Sequence, residues 1–164
     1  MKKLALISAL LPCLAMADVD TSFGLGLGTQ YGGLAGFKFS VNLDNNSLYA
    51  GAGLASHPDS RAGLTLGWER AMFEKHSFGL AFRIRETWDA QYRLQPETGT
   101  RVFDYDDDGS FESRLSGTYT YYFTGAGQAG FLTGLSAGKT YRHTDWNGGF
   151  RSGMEYGFHL GYQF

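Results

Sequence analysis

Met-Glu-Tyr-Gly-Phe-His-Leu-Gly-Tyr-Gln-Phe, residues 154–164, alternates large apolar side chains with small or polar ones up to its last position. Successive side chains of a β-strand point to opposite faces, so this stretch predicts a strand with one apolar face and one small or polar face. A soluble β-sandwich would carry charges on the face opposite its core, whereas here that face carries a file of glycines. The pattern therefore favours a membrane barrel.

The same two-residue period recurs seven more times, and turn residues bound each segment. We predict strands at residues 20–29, 34–43, 48–57, 62–72, 77–89, 110–123, 129–143 and 150–164. Segments of about ten alternating residues match the length of tilted membrane strands, and bacterial barrels have an even strand number. The predicted fold is an all-β, eight-stranded antiparallel up-and-down transmembrane β-barrel.

The composition favours a β protein and excludes several other classes. Of 164 residues, 24 are glycine, 16% are aromatic and three are proline, which suits close-packed strands better than helices. Beyond residue 17 no apolar run approaches the ~20 residues that a membrane-spanning helix needs, which excludes a helical membrane protein. The chain has 14 Lys and Arg against 16 Asp and Glu, and no basic patch suggests nucleic acid.

The first residues have the three-part plan of a secretory signal peptide. Lys2 and Lys3 precede an apolar run over residues 4–14, and Ala15-Met16-Ala17 supplies small residues for cleavage. We therefore predict a signal peptide at residues 1–17 and a barrel domain at residues 18–164. Cys13 lies inside the signal without the small preceding residue of a lipoprotein site, so we expect no lipid anchor.

Connector lengths predict the orientation of the barrel. Short connectors at residues 44–47, 73–76 and 124–128 follow the second, fourth and sixth strands, whereas the long connector 90–109 follows the fifth. Outer-membrane barrels keep short turns in the periplasm and long loops outside. We therefore expect both termini to be periplasmic and residues 90–109 to form the main extracellular loop.

The end of the chain resembles a known targeting signal. Its alternating residues close on a terminal phenylalanine and look like the signal read by the barrel assembly machinery: Tyr156, Phe158, Leu160, Tyr162 and Phe164. In size and strand number the chain also resembles the OmpX and OmpA-barrel group of small outer-membrane barrels. The resemblance implies a monomer in the outer membrane of a Gram-negative bacterium, in contact with its lipid and lipopolysaccharide. It implies no single function, because such barrels serve adhesion, catalysis and structure alike.

The face opposite the apolar one predicts a polar lumen. Its long side chains are Lys38, Tyr49, Glu69, Arg83, Arg85, Glu112, Arg114, Tyr122, Glu155 and His159. Eight strands enclose just enough room for side chains, so we expect these charges to pair in a structural network that fills the barrel. A narrow polar pore is the alternative. The glycines between them leave volume that ordered water or a ligand could occupy, although the lining is too polar for an acyl chain.

An acidic stretch of the long connector, Asp104-Tyr105-Asp106-Asp107-Asp108-Gly109, resembles the opening of an EF-hand calcium loop. The resemblance fails at the twelfth position, where Leu115 replaces the bidentate glutamate, and a strand flanks the loop instead of a helix. We therefore predict weak calcium binding by Asp104, Asp106 and Asp108, with a solvated acidic loop tip as the alternative. No other cofactor is expected.

Three hypotheses for function follow. The leading one is a non-enzymatic surface barrel, structural or adhesive, that binds through its extracellular loops, chiefly residues 90–109, with calcium ordering that loop. The second is a lipid-A-modifying or proteolytic enzyme using the His57/Asp59 or His143/Asp145 pair, although the His-x-Ser motif that lipid A deacylases need is absent. The third is a small polar pore. We assign no catalytic residue.

Overall fold

A computed structural model of the protein describes residues 19–54, 60–87, 90–94, 101–105, 110–144 and 149–164, so the predicted signal peptide lies outside the described residues. The strands are β1 (Val19–Gly28), β2 (Gly33–Leu43), β3 (Asn46–Leu54), β4 (Ser60–Phe73), β5 (His76–Thr87), β6 (Ala90–Leu94), β7 (Arg101–Tyr105), β8 (Ser110–Tyr122), β9 (Gly130–Thr144) and β10 (Gly149–Gln163). A 3₁₀-helix, Thr29–Tyr31, joins β1 to β2. Within the described ranges, no helix has the length and apolarity to cross a lipid bilayer.

Eight of these strands form a closed antiparallel barrel in the order β1-β10-β9-β8-β5-β4-β3-β2. Each strand pairs with the next long strand in the chain, and β10 closes the ring on β1, where Leu25 lies opposite Tyr162. The backbone of Phe164 extends this seam, because its N–H donates to the carbonyl of Phe23 at 2.7 Å. The all-β, eight-stranded antiparallel up-and-down fold predicted from the alternation is confirmed.

The two faces of the wall differ as the alternation predicts. Large apolar side chains on the outer face are widely exposed, for example Leu66 at 62% and Leu135 at 64%. Polar side chains on the inner face are buried, for example Lys38 at 1% and Glu69 at 2%. The barrel therefore has the reverse of the polarity of a soluble protein, in which apolar groups gather inside.

The barrel has a short-turn end and a long-loop end. Turns at residues 44–45, 74–75 and 123–129 lie at the short-turn end, together with Val19 and Phe164. Residues 29–32 and 88–109 connect strands at the opposite, long-loop end.

Part of the predicted main loop contains two short strands that were not predicted from the sequence. Residues 90–94 and 101–105 form a separate two-stranded hairpin, β6 with β7, in which Ala90 lies opposite Tyr105 and Leu94 opposite Arg101. The sequence carries a local reason for this, because Tyr92 and Leu94 alternate with polar residues and Pro96 and Gly99 follow as turn formers. The predicted main loop thus contains its own hairpin.

The polar lumen as candidate functional site

The connector between β1 and β2 folds into the barrel instead of projecting from its rim. Thr29, Gln30 and Tyr31 form a single 3₁₀ turn and are all buried, Gln30 and Tyr31 completely. Gly28 and Gly32 flank this turn with positive φ values of 91° and 75°, which glycine adopts without the steric cost that other residues incur. Residues 29–32 are named the inward segment below.

Glycines on the surrounding strands make the space for the inward segment. A β-carbon at Gly26 or Gly161 would overlap the phenol of Tyr31, and one at Gly51 would overlap the backbone of Gln30. The chain itself therefore takes up volume that the sequence suggested for ordered water or a ligand.

Gln30 connects two buried charges, Lys38 on β2 and Glu69 on β4, the two strands that flank β3. Lys38 Nζ donates to Gln30 Oε1 at 2.9 Å, and Gln30 Nε2 donates to the carboxylate of Glu69. The hydroxyl of Tyr122 donates to Glu69 Oε2 at 2.8 Å. The Lys38 ammonium also lies 5.3 to 5.9 Å from the ring centres of Tyr31, Tyr49 and Tyr122, a favourable cation–π arrangement. Hydrogen bonds and aromatic rings thus offset part of the cost of burying both charges.

A hydroxyl extends this network to a histidine. Thr120 Oγ1 donates to Glu69 Oε1 and lies 3.1 Å from His159 Nε2. Because the threonine has one proton and Glu69 receives it, His159 must donate from Nε2 to Thr120. His159 is fully buried and acts here as a hydrogen-bond donor. These residues form the inner cluster: Gln30, Lys38, Glu69, Thr120, Tyr122 and His159.

A second group of charges lies nearer the long-loop end. Glu155 accepts from Arg114 Nη1 at 3.1 Å, from Arg83 at 3.4 Å and from Thr140 at 2.8 Å. Glu112 pairs with Arg85 at 2.8 Å and with Arg142 at 3.2 Å. This arginine cluster consists of Arg83, Arg85, Arg114, Arg142, Glu112 and Glu155. Its four guanidinium groups outnumber its two carboxylates, so this part of the lumen carries a positive balance.

The inward segment touches both clusters. Thr29 Oγ1 lies 2.9 Å from Ser136 Oγ, and the same serine accepts from Arg114 Nη2 at 3.3 Å. Thr65 donates to the backbone carbonyl of Thr29 at 2.9 Å. The segment therefore contributes Gln30 to the inner cluster and is linked to the arginine cluster through Ser136.

A polar cavity of about 530 Å³ opens at the short-turn end. Its lining includes Asp44 and Glu74 from the turns and Glu69 and Tyr122 from the inner cluster. The cavity therefore extends from the short-turn end into the barrel as far as Glu69. Beyond Glu69, the buried side chains of Gln30, Tyr31, Lys38 and Tyr49 occupy the lumen.

The structure brings most of the predicted site residues together in two groups. Of the predicted lumen network, Lys38, Glu69 and His159 lie in the inner cluster, and Arg83, Arg85, Glu112, Arg114 and Glu155 lie in the arginine cluster. Prediction from sequence missed Thr120, Thr140 and Arg142, which occupy inward positions of the same alternation and could have been found from it. Gln30 was also missed, because it lies in a connector.

The predicted assembly signal lies along β10 at the closing seam. Its outward side chains are Tyr156, Phe158, Leu160, Tyr162 and Phe164, and all except the half-buried Tyr162 are exposed. The rings of Tyr162 and Phe164 contact each other edge to face, with centroids 4.9 Å apart.

The predicted calcium ligands and the two His/Asp pairs lie outside the described residues or are described by their backbone alone. Asp106, Asp108, His57, Asp59 and Asp145 are outside the described residues. The backbones of Asp104 and His143 belong to β7 and β9, opposite Gln91 and Phe150. In the described part of the chain, no group of three or more His, Cys, Asp or Glu side chains has a metal-binding arrangement. The calcium site therefore stays a prediction.

Comparison of the chain with protein-family models, with curated proteins and with solved structures finds no match in any of the three.

Proposed function

We propose that the protein is an integral barrel of the outer membrane of a Gram-negative bacterium, non-enzymatic, that works through the loops at its long-loop end, chiefly residues 90–109. The observation that carries the proposal is the apolar outer face around a polar, hydrogen-bonded interior. An apolar surface that encircles a monomer would aggregate in water, whereas hydrocarbon solvates it. Where the barrel is closed, every strand is paired on both sides, so no unpaired backbone groups face the lipid.

The charged residues of the outer face lie above and below an apolar band, the membrane belt, and so support a defined height for it. Among the described strand side chains that point outward, the charged ones are Arg70, Glu86 and Lys139. Arg70 lies opposite Asn46, near the short-turn end, whereas Glu86 and Lys139 lie toward the long-loop end. Between these levels the outward positions are apolar or uncharged, as expected for the strands of a membrane barrel.

The belt edge at the long-loop end suits contact with lipopolysaccharide. Lys139 Nζ lies 5.4 Å from the ring centre of Tyr141, and both side chains point outward. By the strand register, Ser113 and Ser152 lie on either side of Tyr141. An ammonium beside hydroxyl groups at an apolar boundary is suited to bind a lipid phosphate.

Insertion and orientation test the proposal directly. The full chain is expressed in a Gram-negative host and examined by membrane fractionation, vesicle flotation and gel mobility with and without boiling. We expect membrane association and a heat-dependent mobility shift. On intact cells, trypsin should cleave after Arg93 or Arg101 and spare Lys75. A protein that stays soluble without detergent and shows no mobility shift would refute the barrel's membrane role.

Mass spectrometry of lipid A separates this proposal from the enzyme hypothesis. Cells with and without the protein should yield the same lipid A species, because we propose no catalysis. Altered acylation would refute the non-enzymatic proposal. Binding of lipopolysaccharide micelles should weaken in Lys139→Ala, and Arg70→Ala at the opposite belt edge is the matched control.

A further inference from the structure

We propose that the inward segment is a hinged plug: it bends into the lumen in this structure and, by straightening toward the rim, opens a polar passage for small ions. This inference depends on the proposed membrane location. The passage would lead from the cavity at the short-turn end, past the present position of the segment, to the arginine cluster.

The wall leaves room for the plug on one side of the lumen. Glycines on β1, β2, β3 and β10 lie against Tyr31: Gly24, Gly26, Gly36, Gly53 and Gly161. Tyr31 also belongs to a buried cluster with Tyr122 and Leu132, so the plug closes the space between the glycines and these side chains. Withdrawal of Gln30 and Tyr31 would leave a gap instead of a packed core.

The plug can move without refolding its own turn. Residues 29–32, a 3₁₀ turn followed by Gly32 in the left-handed region, form a four-residue β-hairpin loop, one of the common lengths. The bend lies below this loop, where the β1–β2 register shifts between Gly26 and Gly28. Gly33 and Gly36 supply matching flexibility on β2. The hairpin tip could therefore tilt as one unit.

The rim has space for the straightened tip. β10 pairs with β9 from Gly149 to Gln163, but it pairs with β1 only from His159 to Gln163. In the described part of the chain, residues 149–158 thus lack a strand partner on the β1 side. Continuing the register beyond Gly28 would place Thr29 opposite Phe158, where it adds backbone hydrogen bonds to a free strand edge.

The change of position would satisfy one buried polar group and leave the two central charges with partners. With the tip bent inward, the buried hydroxyl of Tyr31 has no hydrogen-bond partner among the described residues, and outside it would meet water. With the tip withdrawn, Glu69 loses Gln30 but keeps the hydroxyls of Thr120 and Tyr122, and Lys38 keeps the rings of Tyr49 and Tyr122. Neither position leaves a charge isolated.

A removable cross-link tests whether the plug moves. In a Cys13→Ser background, Thr29→Cys with Ser136→Cys places two thiols where the native hydroxyl oxygens lie 2.9 Å apart. In planar bilayers, the reduced protein and the wild type should show brief conductance steps, and the oxidised pair should lose them. The control pair, Thr21→Cys with Val41→Cys, bridges β1 and β2 below the bend and should conduct equally in both redox states.

A plug-free variant and an insertion control complete the test. Gln30→Gly with Tyr31→Gly removes the two side chains that the plug inserts into the lumen and should conduct persistently. Equal conductance of the oxidised and reduced cross-link, or silence of the plug-free variant, would overturn the plug. Flotation with vesicles is scored separately for every sample. Failure to float refutes the membrane proposal and the plug together, whereas floating protein that is silent in every form refutes the plug alone.

Discussion

Tyr31 packs its phenol directly against the backbone of Gly161, on the strand that closes the barrel, and a β-carbon at Gly161 would overlap the ring and its hydroxyl. Gly153 is inward-facing on the same strand, yet a β-carbon there would have no neighbour within 4 Å. Two glycines of one strand, eight residues apart in sequence, therefore differ in whether the fold needs them.

Alanine at these two positions should have opposite effects on stability. We expect Gly161→Ala to destabilise the protein by about 1–3 kcal/mol through overpacking against Tyr31. Gly153→Ala should be neutral or stabilise it by up to about 1 kcal/mol, because alanine reduces the freedom of the unfolded chain. Denaturant titration in detergent micelles measures both. Tyr31→Phe removes the overlapping hydroxyl and should restore part of the stability that Gly161→Ala loses. Equal changes in stability at both glycines would contradict the packing of Tyr31 against Gly161.

The wall could be predicted from the sequence, but the inward segment could not. Alternation is a local property of each strand, so it identifies which residues point inward, including Glu69 and Arg114. Whether residues 29–32 bend inward depends on glycines from four other strands, such as Gly51 and Gly161, which meet only after the barrel closes. The alternation of β1 continues into the connector, where Tyr31 falls in phase with the outward residues before it. Local pattern therefore gives no sign that this connector turns into the barrel, because tertiary space decides that outcome.

Removing the amide of Gln30 should cost more stability than removing a comparable buried amide. Gln30→Leu deprives Lys38 and Glu69 of one partner each, and unsatisfied buried groups cost about 1–3 kcal/mol. Gln163→Leu is the matched control, because Gln163 is also buried but makes one long hydrogen bond of 3.5 Å to the backbone. Denaturation midpoints of the two variants give the comparison. If Gln163→Leu lowered the free energy of unfolding as much as Gln30→Leu, the hydrogen bonds of Gln30 to Lys38 and Glu69 would contribute no more than those of another buried amide.

Calcium should stabilise the protein only through the acidic stretch of the long connector. The predicted ligands are Asp104, Asp106 and Asp108, an incomplete set that would bind weakly. A ligand that binds the folded state raises the melting temperature in a concentration-dependent way. We expect a rise at millimolar-range calcium, as about 10⁻⁴–10⁻³ M affinities are typical of weak extracellular sites. Asp106→Ala with Asp108→Ala should abolish it, and Asp44→Ala with Glu74→Ala at the short-turn end should leave it intact. A rise that survives the first pair would exclude this loop as the site.

Arginine on the outer face of β4 should measure the depth of the apolar belt. Leu66 lies in the middle of the strand, between Leu64 and Trp68, whereas Met72 lies beyond Arg70 at the short-turn end; both Leu66 and Met72 are exposed. In a bilayer, a charged side chain costs about 2–4 kcal/mol at the midplane and about 0–1 kcal/mol near the interface. Leu66→Arg should therefore lower the free energy of unfolding from vesicles by several times the effect of Met72→Arg. In water the exposed leucine and methionine would tolerate arginine equally well. A depth-independent result would mean that hydrocarbon does not cover the outer face, and the membrane proposal would fail with it.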